Sequence, residues 1–215
     1  AIALDKALSK ELFVQHGIPT APWRLILRGV TDESEAAIAA VGGYPVVIKP
    51  NRGGSTVATA IVRDASGVPD ALAAVFAEKD DAIIEAYVPG RELTVGVLGE
   101  TALPVVEIVP ESGFYDYESK YTAGRSRYVV PAEVSPVVEQ SLKDLAERAV
   151  RVLRCRSGSR VDFRLDGERL ACLEVNTVPG MTATSLLPMA ARATGLDFPA
   201  LVERLCADAI EAAEK

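Results

Sequence analysis

Three oxygen-bearing side chains stand at a spacing that suits a divalent cation. An apolar run, Leu170-Ala171-Cys172-Leu173, leads into Glu174, and Asn176 follows two residues later. On a strand, period-2 spacing puts Glu174 and Asn176 on one face. Asp162 lies in another short β-rich run, Ser159-Arg160-Val161-Asp162-Phe163-Arg164, and Asp166-Gly167-Glu168 between the runs is a hairpin turn signal. Folding back at that turn brings Asp162 beside Glu174 and Asn176. Hard oxygen donors of this kind suit Mg²⁺, which proteins usually hold together with the phosphates of a nucleotide. The bland alternative is a set of solvated strand-end polar residues. Three donors in register, followed by Pro179-Gly180 and a hydroxyl-rich turn, argue against it.

A second segment, Val47-Ile48-Lys49-Pro50-Asn51-Arg52-Gly53-Gly54-Ser55-Thr56, puts a lysine at a strand end ahead of a loop with two glycines and two hydroxyls. Glycines let backbone N–H groups approach phosphate oxygens closely. The Walker order is absent, because the lysine precedes the glycines. A plain glycine-rich hairpin explains the segment equally well. In the third segment, Ile83-Ile84-Glu85-Ala86-Tyr87-Val88-Pro89-Gly90-Arg91-Glu92, two carboxylates seven residues apart flank an apolar connection. Glu85 is placed to accept from an adenine amino group, Val88 to offer backbone atoms and Glu92 to accept from ribose hydroxyls. Taken alone, the segment reads as a linker with solvated acids.

These residues need a scaffold. The chain has 215 residues, enough to bury a core as one domain or two small lobes. A net charge of −7 argues against nucleic-acid binding, which needs clustered basic surface. No apolar run reaches the ~18 residues that span a bilayer, and no secretory signal opens the chain, so no membrane partner is expected and a cytoplasmic location is. Cys155, Cys172 and Cys206 lack metal-ligand spacing and read as reduced core thiols. The chain opens Ala1-Ile2-Ala3-Leu4 and its only methionines are Met181 and Met189, so it reads as an excerpt of a longer protein or a processed product.

The pattern predicts an α+β protein. Helices are expected at residues 5–16, 32–41, 68–77, 136–153, 186–194 and 198–212. Strands are expected at 23–27, 44–49, 58–62, 82–85, 92–98, 103–109 and in the two runs carrying Asp162 and Glu174. His16, the only histidine, reads as a helix-terminal residue favoured by the dipole. Residues 110–131 have turn residues, several tyrosines and little periodicity, and read as a long loop of the lid or binding type. Two lobes are expected, 1–85 and 86–215, meeting near residues 85–89.

In order and spacing, Lys49 in Val-Ile-Lys-Pro, Glu85 with Glu92, Asp162, and Glu174-Val175-Asn176 resemble the ATP-grasp fold. Four further segments narrow the resemblance to D-alanine–D-alanine ligases. They are Leu4-Asp5-Lys6, Phe114-Tyr115-Asp116-Tyr117-Glu118-Ser119-Lys120-Tyr121, Asn176-Thr177-Val178-Pro179-Gly180-Met181-Thr182, and Ser185-Leu186-Leu187-Pro188-Met189-Ala190-Ala191. The resemblance implies two α+β lobes with ATP held between their sheets. It implies that Lys6, Lys49 and Lys120 contact the ATP phosphates and that Glu85, Val88 and Glu92 hold adenosine. Asp162, Glu174 and Asn176 would ligate two Mg²⁺ ions, with Mn²⁺ an acceptable substitute. Arg160 and the N–H of Gly180 would hold an oxyanion, Ser185 and Leu186 the carboxylate of a second D-alanine, and Ser55 with Tyr121 a hydrogen-bonded group at the first.

The activity implied is ATP-dependent joining of two D-alanines through an acyl phosphate, for peptidoglycan precursor synthesis, by a protein expected to be a homodimer at full length. This sequence departs from the family in three places. It has Ser55-Thr56 where a second serine is usual, and Ala86 where a lysine commonly follows the adenine-binding glutamate. The family's N-terminal lobe, with its glutamate and histidine near the first D-alanine, has no counterpart here, so this stretch alone is expected to bind Mg·ATP but to make dipeptide poorly. The competing readings are a ligase taking D-lactate or D-serine as second substrate and a non-catalytic ATP-binding module.

Overall fold

The computed structural model describes residues 2–54, 57–110 and 126–213. A 3₁₀ turn, Ile2–Leu4, precedes helix α1, Lys6–Gln15. Asp5 is its N-cap, with its carboxylate accepting from the Leu8 N–H at 3.0 Å, and His16 is its C-cap. Four strands then form the smaller sheet: β1 Trp23–Ile26, β2 Val46–Pro50, β3 Ala60–Val62 and β4 Ala82–Ala86, in the order β1-β4-β2-β3. Helices α2, Ser34–Ala40, and α3, Val68–Ala77, cover one face of it.

Alternation along the strands decides which residues that face takes. Val46 and Ile48 of β2, with Ala82 and Ile84 of β4, are buried under α2 and α3 together with Ile38, Leu72 and Val75. Val47, Lys49, Ile83 and Glu85 are left on the opposite face.

The larger sheet comprises β5 Arg91–Leu98, β6 Thr101–Ala102, β7 Val106–Pro110, β8 Ser126–Val129, β9 Ser159–Asp166 and β10 Arg169–Asn176. Its order is β10-β9-β5-β7-β8, with β6 also paired to β5, and all pairings are antiparallel. Helix α4, Pro136–Val152, is capped by Ser135, whose hydroxyl accepts from the Val138 N–H at 3.3 Å, and carries Pro at its start. It packs Leu142, Ala146, Ala149 and Val150 on Leu93, Val95 and Val97 of β5 and on Val161 and Phe163 of β9. Phe13 of α1 and Ile18 join this same core, so α1 is strapped to the larger sheet as well as the smaller.

Helices α5, Leu186–Arg192, and α6, Phe198–Ala213, close part of the other face, where Leu187 lies against Leu98 and Leu103. Gly96 permits that approach: a Cβ there would meet Leu187 Cδ1 at 2.7 Å. The rest of that face, carrying Glu92, Thr94, Asp162, Arg164 and Glu174, looks toward the smaller sheet.

The structure departs from the expected elements in three places. The strand expected over 103–109 begins only at Val106, as β7, and a further two-residue strand, β6, precedes it at 101–102; both pair with β5, and residues 103–105 lie between them. Pro104 has no N–H to donate to a ladder, and the break falls there. Within the stretch expected to be a loop, Ser126-Arg127-Tyr128-Val129 is strand β8, paired with β7. Of the cysteines, Cys172 is wholly buried, Cys155 half-buried and Cys206 exposed, so only the first is a core thiol. All three are free. Among the described residues no helix is long and apolar enough to cross a membrane.

Candidate active site

The two sheets face each other across an open cleft, and the connection at residues 87–90 forms its inner edge. Lys6, Lys49, Glu85, Val88, Glu92, Asp162 and Glu174 all line it. Residues from α1, the smaller sheet, the connection and the larger sheet therefore converge on one space. Arg160 and Asn176 pair opposite each other two residues beyond Asp162 and Glu174 along the same hairpin.

The hairpin does bring Asp162 opposite Glu174, but only through a bulge. From the turn, β10 pairs regularly as far as Cys172 opposite Phe163; the register then shifts, and Glu174 stands opposite Asp162. Leu173 is the extra residue. Had the regular register continued through Leu173, Leu173 would stand against Asp162 and Glu174 against Val161, on the face buried under α4. The bulge thus moves Glu174 into the cleft and keeps both Cys172 and Val175 in the core.

Asp162 is held rigidly. Arg160 donates to both of its oxygens, from Nε and Nη2 at 2.9 Å each, and the Thr94 hydroxyl donates to Oδ1 at 2.6 Å. Glu174 lies 3.5 Å from the Lys6 ammonium, which also donates to the carbonyl of Gly53. Asn176 accepts from the Val178 N–H at 3.0 Å, closing an Asx turn that starts the Val178-Pro179-Gly180 segment. Two adjacent carboxylates and a carboxamide oxygen on one face form a donor set of the kind Mg²⁺ takes, so these residues fit such an ion.

On the opposite wall, Lys49 lies 2.6 Å from Glu85 Oε1, and Lys10 lies 2.9 Å from Oε2. All three side chains are nearly or wholly buried. Burial alone would raise the Glu85 pKa, but Lys10 and Lys49 together hold it down at about 2. Burial likewise works to lower Lys49, and Glu85, then Glu174 and Asp162, more than offset it, so its pKa is raised. In Lys10 burial prevails, and its pKa is lowered. Both Glu85 oxygens carry a lysine, but a carboxylate offers about four lone-pair sites, so the group can still accept from a ligand in the cleft.

Arg164 organises the inner edge. Its Nε donates to the Val88 carbonyl at 3.0 Å, Nη1 to Glu92 at 3.2 Å and Nη2 to the Tyr87 hydroxyl at 3.5 Å. It also stacks over the Tyr87 ring, 5.8 Å from the centroid. One side chain of the larger sheet thereby fixes the connection between the sheets. Neither Arg164, Thr94 nor Lys10 was among the expected site residues. The signal was present in each case: Arg164 is two residues from Asp162 and Thr94 two from Glu92 on strands, while Lys10 is four from Lys6 on a helix.

Beyond β10, Gly180 packs on Ser185. A Cβ at residue 180 would stand 2.7 Å from Ser185 Oγ, and that hydroxyl accepts from the Thr182 N–H at 3.0 Å and lies 2.8 Å from Thr182 Oγ1. Ser185 is the N-cap of α5, although its hydroxyl is turned to Thr182 rather than to the helix. The Leu186 side chain is buried with Leu98, Leu187 and Leu201, so only its backbone is on offer to a ligand. Gly180, Ser185 and Leu186 lie outside the cleft lining described above. Ser55, Lys120 and Tyr121, with the rest of the tyrosine-rich segment, lie outside the described residues.

Residues 12–207 match the family described as "D-ala D-ala ligase C-terminus". The chain belongs to the D-alanine–D-alanine ligase family. Similar members are the D-alanine–D-alanine ligases of Syntrophotalea carbinolica, 41% identical across 97% of this chain and 67% of that protein, and of Gloeobacter violaceus, 46% identical across 95% and 68%. Among solved structures, the Bacillus anthracis D-alanine–D-alanine ligase complexed with ATP superposes with a TM-score of 0.84 at 27% identity, covering 99% of this chain and 68% of that one. The Coxiella burnetii D-alanine–D-alanine ligase gives 0.85 at 25% identity, covering 100% and 58%. The fold is ATP-grasp, and the chain spans about two thirds of the length of these family members.

Proposed function

We propose that this chain is the ATP-binding and catalytic portion of a D-alanine–D-alanine ligase, joining two D-alanines at the expense of ATP. The observation that carries the reading is the convergence of Lys6, Lys49, Asp162 and Glu174 on one cleft, with Arg160 beside Asp162. A carboxylate resists attack by an amine, so ATP first converts that of one D-alanine into an acyl phosphate. The second amine then attacks through a tetrahedral intermediate. Charge develops on the transferred phosphoryl group and on the acyl oxygen, and each needs fixed donors.

The two sheets serve as two lobes, 1–85 and 86–215, with α1 strapped across both and ATP between them. Lys6 and Lys49 face the phosphates from opposite walls, and Glu85, the backbone of Val88, and Glu92 hold the adenosine. Asp162, Glu174 and Asn176 would hold Mg²⁺, which would supply positive charge to offset that of the phosphates. Arg160, oriented by Asp162, and the Gly180 N–H receive the oxyanion. Ser185 and the backbone of Leu186 hold the second D-alanine's carboxylate. Family resemblance alone adds Lys120, Ser55 and Tyr121. It also supports a homodimer at full length, a cytoplasmic location and a place in cell-wall precursor synthesis.

Replacing Arg160 separates this reading from a module that only binds ATP. Arg160→Met should lower kcat by about 10²–10³-fold, the usual loss for one oxyanion donor, and by clearly more than it weakens Mg·ATP binding, to which Arg160 contributes only by holding Asp162. Equal losses in both quantities would overturn the assignment.

A further inference from the structure

Lys10 is wholly buried and does not line the cleft, yet its Nζ is ion-paired with Glu85. A buried ammonium is costly unless it is paired, and an apolar side chain would fill its place on α1 without that cost. Its partners suggest why it is there. The ammonium lies 2.9 Å from Glu85 Oε2 and donates to Thr20 Oγ1 at 2.7 Å, and Thr20 in turn donates to the Cys172 carbonyl at 2.7 Å. Lys10 thus takes one oxygen of Glu85, while Lys49 takes the other at 2.6 Å.

The charge balance of this group depends on Lys10. Glu85 and Lys49 alone would form a neutral pair, and the ammonium that faces the cleft would be largely cancelled by the carboxylate behind it. With Lys10 present, two ammonium groups share one carboxylate, and a net positive charge remains in the wall that Lys49 forms. A strut between α1 and the sheets would not require this arrangement. That join is already made by the Lys6 N–H to the Asn51 carbonyl at 3.1 Å, the Ala7 N–H to Asn51 Oδ1 at 2.9 Å and Phe13 in the core.

We infer that Lys10 is a charge-balancing residue for the phosphate site, occupying Glu85 so that the Lys49 ammonium is left uncompensated toward a bound triphosphate. The inference rests on the cleft being the Mg·ATP site. Lys10 touches no ligand; it acts through Glu85 and Lys49.

Calorimetric titration of the 215-residue chain with Mg·ATP and with adenosine, in wild type, Lys10→Met, Glu85→Gln and the double variant, tests it. The readout is the ratio of the two affinities, because charge acts on the phosphates while distortion of the wall acts on both ligands. Lys10→Met should reduce the preference for Mg·ATP over adenosine by about tenfold or more. The double variant should restore that preference to within about threefold of wild type, since it regains one uncompensated ammonium. A preference unchanged in Lys10→Met, or lost without recovery in the double variant, would overturn the inference. If Lys10→Met alone does not fold, the double variant decides by the same threshold. Failure of the wild type to bind Mg·ATP would instead remove the reading of the cleft.

Discussion

Arg164 offers the sharpest perturbation, because one guanidinium joins the connection between the sheets to the proposed ribose site. Arg164→Met keeps most of the apolar stem and volume while removing every donor. The bond to the Glu92 carboxylate at 3.2 Å is charge-assisted and worth about 1.5–3 kcal/mol, and the bond to the Val88 carbonyl at 3.0 Å about 0.5–1.5 kcal/mol. The Tyr87 contact, at 3.5 Å, adds little. Arg164 and Glu92 side chains are only 10% and 16% exposed, so water replaces the lost bonds poorly. The expected destabilisation is about 2–4 kcal/mol. At roughly 2–4 °C per kcal/mol for a chain of this size, Tm should fall by about 5–15 °C.

Glu92 also loses the donor that aims it at the ribose hydroxyls, so ATP should bind about tenfold more weakly. The decisive readout is the ratio of Kd for 2′-deoxy-ATP to that for ATP, measured by calorimetry. Loss of orientation at Glu92 lowers this ratio, whereas general damage to the fold weakens both nucleotides alike. An unchanged Tm, or a ratio equal to that of wild type, would refute the reasoning.

Two further outcomes follow from the same structure. Deleting Leu173 closes the bulge and leaves Glu174 next after Cys172, in regular register opposite Asp162 and on the cleft face; Mg²⁺-dependent ATP binding should therefore be retained, and its loss would contradict the register argument. Glu85 has a folded pKa of about 2 against an ordinary value of 4.5, so its ion pairs stabilise the fold above that ordinary value and are lost as pH falls toward 2. Acid unfolding of Glu85→Gln, followed by circular dichroism, should therefore be shallower than wild type across that window, and parallel curves would contradict it.

Much of the site was legible because period-2 and helical spacing are local properties. The hairpin at Asp166-Gly167-Glu168 and the placing of Lys49 ahead of a glycine loop both follow from neighbouring residues. The bulge at Leu173 does not. Counting back from the turn places Glu174 against Val161, and only the oxygen chemistry of the two strands pointed to Asp162 as its neighbour. Strand β8 was hidden because its partner β7 lies across a long intervening segment, and the break at Pro104 depended on β5 pairing with both β6 and β7. The roles of Lys10 and Arg164 depend on elements far away in sequence, Glu85 for the first and residues 87–92 for the second. Local pattern carries no information about such partners.

The central claim is that ATP activates a carboxylate, and an oxygen label tests it directly. D-alanine carrying ¹⁸O in its carboxylate is incubated with Mg·ATP and the protein, and the phosphate and dipeptide released are analysed by mass spectrometry. An acyl phosphate hands one carboxylate oxygen to phosphate when the second amine displaces it, so the account predicts one ¹⁸O in phosphate for each dipeptide formed. Phosphate released without ¹⁸O would contradict it.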